Sequence, residues 1–198
     1  MEGIRVEEVI ERSADRAAPF LARLARLYDE MDRAYAAVAG RYGFFCRGCD
    51  DNCCRSRFYH HTVAEYLYIG EGLRGLSDDI RAEVGRRAAG SVPGELCPAN
   101  DGVRCRIYAH RPMICRLHGV AHETRRPDGR VVTGPGCDQF EETVGGRDLG
   151  GLDRTPFYRE LARLEGELRA EMGLSSRPRL TVAEIIQTLQ TEPAEVSQ

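Results

Sequence analysis

The sequence predicts a mainly α-helical protein, a helical scaffold around an irregular cysteine-rich module that contains one small β-hairpin. Two observations carry the helices. Apolar residues step by three and four along residues 20–38 and again along residues 157–172, the periodicity of a helix that buries one face. A third observation marks the exception: the segment with strand-like composition, residues 120–133, is short and is broken by Arg126-Pro127-Asp128-Gly129, a turn signal between two extended arms.

Each element has its own local cause. A short amphipathic piece covers residues 4–16, and Pro19 stands where a new helix can begin, since a missing N–H costs nothing in a first turn. The stripe Phe20/Leu21, Leu24, Leu27/Tyr28, Met31, Tyr35, Val38 then builds the first long helix, closed by Gly40 and Gly43. Thr62-Val63-Ala64-Glu65 reads as a capping box that opens a helix to about Gly72, and residues 77–89 form another. Residues 90–102 are loop. Pro112 is placed at the first position of a helix of one to two turns, stopped by Gly119, which puts Cys115 in its first turn. After the hairpin, Gly145-Gly146 and Gly150-Gly151 mark a loop, and Phe157/Tyr158, Leu161, Leu164, Leu168 and Met172 share one face of a helix from Thr155 to Met172. A last short helix covers residues 181–189, and residues 191–198 fray. The whole is expected to be one domain, with helical flanks 1–42 and 152–190 around a module at 43–140.

Composition narrows the function. At 198 residues, 42% hydrophobic and 30% charged, the chain can build its own core without staples. No apolar run approaches the roughly 20 residues of a membrane span, and the acidic start lacks a secretory pattern. A cytoplasmic, reducing setting is expected, where disulfides are rare and metal thiolates common. The net charge of −3 carries no basic footprint for nucleic acid. Its distribution is uneven: residues 1–40 carry −2, residues 41–140 carry +3 and residues 141–198 carry −4. The only net-positive segment is thus the one that bears the cysteines, where arginines offset the negative charge that clustered thiolates would bring.

The eight cysteines are the chemical signal. Four lie in Cys46-Arg47-Gly48-Cys49-Asp50-Asp51-Asn52-Cys53-Cys54, and Cys97, Cys105, Cys115 and Cys137 follow singly. Thiolates two and three residues apart converge on a soft ion or cluster. Cys46, Cys49 and Cys53 can wrap one centre, with at least one distant cysteine completing the set. Adjacent side chains point apart, so Cys53 and Cys54 do not share a single ion, and one of them serves a different centre or packs as a small apolar residue. Cys115, near a helix N-terminus, is expected to have a lowered thiol pKa. Eight thiols fit two four-ligand sites, or one such site with four spares. No Ser/His/Asp arrangement, phosphate loop or HExxH helix accompanies them.

The ordered set Phe45-Cys46-x2-Cys49-x3-Cys53-Cys54, then Cys97-Pro98, then Cys105-Arg106-Ile107-Tyr108-x2-Arg111-Pro112-x2-Cys115-Arg116 resembles the CxxCxxCC cysteine-cluster family, also called YkgJ-like, a zinc- or iron-chelating domain. The chain departs from the pattern by one extra residue before the double cysteine. The resemblance covers residues 43–116 and extends to Cys137. The family includes flagellin lysine methylases, which are similar in the cysteine module; their activity is not carried over, because no glycine-rich strand–turn–helix for adenosylmethionine is present.

Tyr108, Arg111 and Arg116 fall within this resemblance as residues for contacting the cofactor, and forked arginine donors suit sulfur or an anion. His60, His61 and His118 are read as solvated or capping. The expected cofactor is an iron–sulfur cluster, [4Fe–4S] ahead of zinc, because the donors are all sulfur. The expected function is metal binding with a redox or protein-modifying role, or a structural zinc-bearing adaptor without catalysis. The expected partner is a protein, as ligand or as substrate.

Overall fold

The computed structural model describes residues 14–47, 54–55, 58–102 and 104–190. Most of the expected N-terminal piece, the expected frayed end, Cys49 and Cys53 lie outside these residues. Seven α-helices and a three-stranded sheet are seen among them, so the mainly α prediction holds.

Helix α1 spans Ala14–Tyr42 and buries the expected stripe, with Leu24 and Met31 fully excluded from water. It runs through Pro19 instead of starting there. Pro19 is the sixth residue of the helix, so its ring displaces a single main-chain hydrogen bond close to the end, and the burial of Ala17 and Leu21 on either side outweighs that local cost. The helix stops at Gly43, whose φ of 68° is open to glycine.

Helices α2 (Val63–Arg74), α3 (Asp78–Ala89) and α4 (Met113–Leu117) follow, then α5 (Asp138–Val144), α6 (Thr155–Met172) and α7 (Val182–Gln190). The capping box at Thr62 forms as expected: its Oγ1 accepts from Glu65 N at 3.2 Å and donates to the Glu65 carboxylate at 2.8 Å. Helix α6 begins and ends where its periodicity predicts, closed by Gly173 at φ 68°. Its Leu164 and Leu168 have no exposed surface, and α1 and α6 pack as the main seam. Each side chain fully buried there contributes about 1.5–3 kcal/mol.

Helix α6 also reaches across to α2. The Glu165 carboxylate, 1% exposed, accepts from Val63 N at 3.0 Å and Ala64 N at 3.1 Å, which satisfies donors that the first turn of α2 leaves open. Burial raises the pKa of this carboxyl, and the two amides oppose that shift.

The hairpin forms slightly later than the composition suggests, as β1 (His122–Arg125), two residues on, and β2 (Val131–Gly134), one residue on. A two-residue strand β3 (Leu152–Asp153) adds in parallel to β1, giving the order β2-β1-β3. Neither β3 nor α5 is anticipated by the sequence reading. The sheet faces α6 and brings the chain back past Gly119, whose φ is 117° and where a Cβ would stand 2.7 Å from the Tyr35 hydroxyl. No described helix is long and apolar enough to cross a membrane.

Candidate metal centre

The short helix α4 carries Cys115, and two buried polar residues fix it to the frame. The Glu65 carboxylate accepts from Met113 N at 2.8 Å, the first amide of α4, and from the Tyr28 hydroxyl at 3.1 Å. Arg116, 6% exposed, donates through Nε to the Arg111 carbonyl at 2.9 Å and through Nη2 to the Ala109 carbonyl, and pairs with Asp32 at 2.7 Å. Its guanidinium lies 4.4 Å from the Tyr28 ring centroid. A buried charge stays favourable only when its donors are used, and here they lock residues 109–116 against α1. Arg116 therefore positions Cys115.

Cys97 and Cys105 sit on a tight turn. Asn100 pairs with Cys105 across a bridge, and Arg106 N donates to the Ala99 carbonyl at 2.7 Å. Asp101 Oδ1 accepts from Arg104 N at 2.7 Å, and Asp101 pairs with Arg106 at 2.9 Å. Cys54 is tied to the same turn by Cys97 N, which donates to its carbonyl at 2.6 Å, and by Asn100 Nδ2, 3.1 Å from its Sγ.

Four thiols thus share one neighbourhood. Burial pushes Cys97 up to about 12, and the charges of Cys105 and Cys54 add to the shift. Burial pushes Cys105 up to about 11, with Cys54 adding to it. Cys115 is raised by burial first and then by Cys97, Cys105 and Cys54. The expected lowering at Cys115 is overturned: α4 has five residues, its first amide is spent on Glu65, and desolvation of a thiolate exceeds what so short a helix end returns. Two main-chain groups oppose the shifts, Ala99 N–H toward the Cys97 sulfur and Ile107 N–H toward Cys105. Each is the amide two residues ahead, a ready-made donor to a thiolate.

Cys46 and Cys137 lie elsewhere. Cys46 is exposed and Cys137 is 7% exposed at the N-cap of α5. Both act on Tyr35, whose hydroxyl pKa is raised by burial and then by these two thiols. Arg111 opposes the shifts of Cys105, Cys115 and Tyr35 alike through its charge. It stacks at 3.5 Å on the Tyr108 ring, which is 54% exposed. Of the predicted ligands, the structure brings together Cys54, Cys97, Cys105 and Cys115, and places Cys46 and Cys137 beside Tyr35. Cys49 and Cys53 are the two outside the described residues.

Asn100 carries little signal in the sequence, and the reading of His60 as solvated or capping is corrected by its burial. Asn100 reaches Cys54 only through the fold. His60 is buried, paired through its main chain with Leu180 at 2.7 Å and 3.1 Å, and its imidazole pKa is lowered by burial while Glu65, 3.9 Å away, opposes the shift.

Residues 45–131 match the model of the CxxCxxCC family. Its description is "Putative zinc- or iron-chelating domain". The match covers less than half of the chain and contains Cys54, Cys97, Cys105 and Cys115 together, so the CxxCxxCC resemblance read from the cysteines holds. The helical seam of α1 and α6 lies outside it. No match is found among curated proteins or among solved structures.

The donor chemistry of this CxxCxxCC region fits a soft metal: sulfurs from three separate segments, each of Cys54, Cys97 and Cys105 with an N–H donor at hand. Among the described residues, no three Cys, His, Asp or Glu side chains stand in the arrangement of a bound single ion.

Proposed function

We propose that the chain holds an iron–sulfur cluster, with zinc as the alternative, on the thiolates of Cys54, Cys97, Cys105 and Cys115. The observation that carries the reading is the convergence of these four partly buried thiols on one neighbourhood inside the region that matches the CxxCxxCC model. An all-sulfur set favours iron–sulfur over zinc sites that mix in histidine. A cluster supplies one-electron chemistry when bound.

The residues around the sulfurs have stated tasks. Glu65 and Arg116 hold α4 in place. Asn100 and the amides of Ala99 and Ile107 donate toward sulfur and favour the thiolate. Arg111 supplies positive charge without a lysine's mobility, and its stack on exposed Tyr108 offers a docking edge for a protein partner or protein substrate. A reducing, cytoplasmic setting belongs to the same proposal.

A structural zinc adaptor is the second reading, favoured by one observation: the described residues of 90–107 contain no helix or named strand and are held by turns and main-chain hydrogen bonds. Anaerobic purification with metal and acid-labile sulfide analysis decides between the two. Coloured protein with iron and sulfide in equal amounts is expected; colourless protein with stoichiometric zinc and no sulfide overturns the iron–sulfur reading in favour of the adaptor.

A further inference from the structure

Arg154 stands where β3 passes into α6 and is 5% exposed. Its N donates to the Glu123 carbonyl at 2.9 Å, and its Nη2 donates to the Leu117 carbonyl. Among the described residues its Nε is covered and meets no acceptor. A guanidinium keeps its charge even when buried, and a buried charge is unfavourable until a counter-charge meets it. The groups that oppose the effect of burial on Arg154 are hydroxyls, of Tyr158 and then of Tyr35, and not carboxylates. The acidic residues nearby are engaged or turned away. Asp153 accepts from Thr155 N at 2.8 Å and feels Arg125 and Arg159, Asp32 pairs with Arg116, and Glu123 leaves β1 on the face opposite His122.

Two imidazoles share this place. His118 follows the Leu117 carbonyl that Arg154 holds, and His122 pairs with Leu152, two residues before Arg154, across the parallel ladder. His118 Nε2 and His122 Nδ1 are covered and without partners as well. Burial lowers both imidazole pKa values and the charge of Arg154 lowers them further, so at pH 7 both rings are neutral, and each can present an N–H in one tautomer. Three nitrogens from three segments around an unbalanced cation suit an oxyanion. They exceed the two oxygens of a carboxylate and match the terminal oxygens of a phosphate. Tyr158, 38% exposed, keeps its hydroxyl beside the guanidinium and has solvent to swing into.

We propose that Arg154, His118 and His122 form a binding site for a phosphate group, which takes the place of the Tyr158 hydroxyl at the guanidinium. The site stands apart from the four converging thiols and does not depend on the metal reading.

The test titrates the full chain with inorganic phosphate and, separately, with methyl phosphate, at constant ionic strength and against chloride, following the histidine ring signals by NMR. Saturable shifts of the His118 and His122 signals, assigned with His118→Gln and His122→Gln, are expected with a dissociation constant of about 1 mM or tighter, while the signal of exposed His61 stays in place. Arg154→Met should weaken binding by about tenfold or more. Tyr158→Phe, at an exposed position, should bind at least as tightly as the unaltered chain. The ring signals of the unaltered protein decide the matter even where Arg154→Met folds poorly. A response to both probes assigns a phosphate ester whose substituent lies in solvent, and a response to inorganic phosphate alone assigns the free ion. No saturable shift of the two rings, an equal response to chloride, unchanged affinity in folded Arg154→Met, or weaker binding by Tyr158→Phe would each overturn the site.

Discussion

The seam between α1 and α6 and the turn that carries Cys97 and Cys105 are held together by different physics. In the seam, Leu24, Met31, Leu164 and Leu168 are excluded from water, and their contribution depends on neither protons nor metals. In the turn, the groups packed against the core are partly buried sulfurs, and desolvation pushes Cys97 and Cys105 up to about 12 and about 11. As thiols they pack at little cost; as thiolates they need a cation or cluster beside them. The frame is therefore complete by itself, while the module is built to be finished by what it binds.

Metal removal is expected to have the largest effect on this contrast. Four-cysteine sites can contribute on the order of 10 kcal/mol to folding, so chelation should abolish protection of the amides of residues 97–107 in hydrogen exchange while those of α1 and α6 stay protected. Uniform protection before and after verified metal loss would erase the distinction between the two regions.

That contrast also explains what the sequence could and could not reveal. The helix from Thr155 to Met172 and the capping box at Thr62 were readable because their causes are local: a period of 3.6 residues and a side chain bonding to an amide three residues on. Pro19 misled because buried neighbours on both sides overrode a local preference. Strand β3 and helix α5 were missed because two strand residues and seven helical residues are too few to establish a period. For the site, the eight thiols were legible in the sequence, and their ordered set carried the resemblance to the CxxCxxCC family, whose model matches residues 45–131. Their grouping was not: Cys46 and Cys54 are eight positions apart in sequence, yet one stands beside Tyr35 and Cys137 and the other beside Cys97. Burial of Cys115, the quantity that reverses its expected pKa, exists only once α1 and α2 have packed around α4.

A core truncation sharpens the comparison from the other side. Leu164→Ala should cost about 2–5 kcal/mol, the usual range for a fully buried leucine, and lower the melting temperature while leaving the metal content per folded molecule unchanged. Loss of metal from folded Leu164→Ala protein would mean that the seam and the module are one cooperative unit at the site.

The smallest effect near neutrality is on pH. Thiol pKa values raised on folding mean that the metal-free protein binds protons more tightly than its unfolded chain, so this stability is fully present below the ordinary thiol value of 9.0 and is lost as pH rises toward about 12 at Cys97. Denaturant midpoints of metal-free protein should fall between pH 9 and pH 11, the value to which Cys105 is pushed up, and replacing Cys97 and Cys105 by alanine should flatten that fall. Metal affinity should run the opposite way and rise with pH, because binding releases thiol protons.

The most direct measurement compares metal stoichiometry in two double variants prepared anaerobically, Cys97→Ser with Cys105→Ser against Cys46→Ser with Cys137→Ser. The account predicts that the first pair loses the bound metal while its α1 and α6 helicity persists, and that the second pair retains it. Retention by the Cys97/Cys105 variant together with loss from the Cys46/Cys137 variant would contradict the assignment and place the centre beside Tyr35.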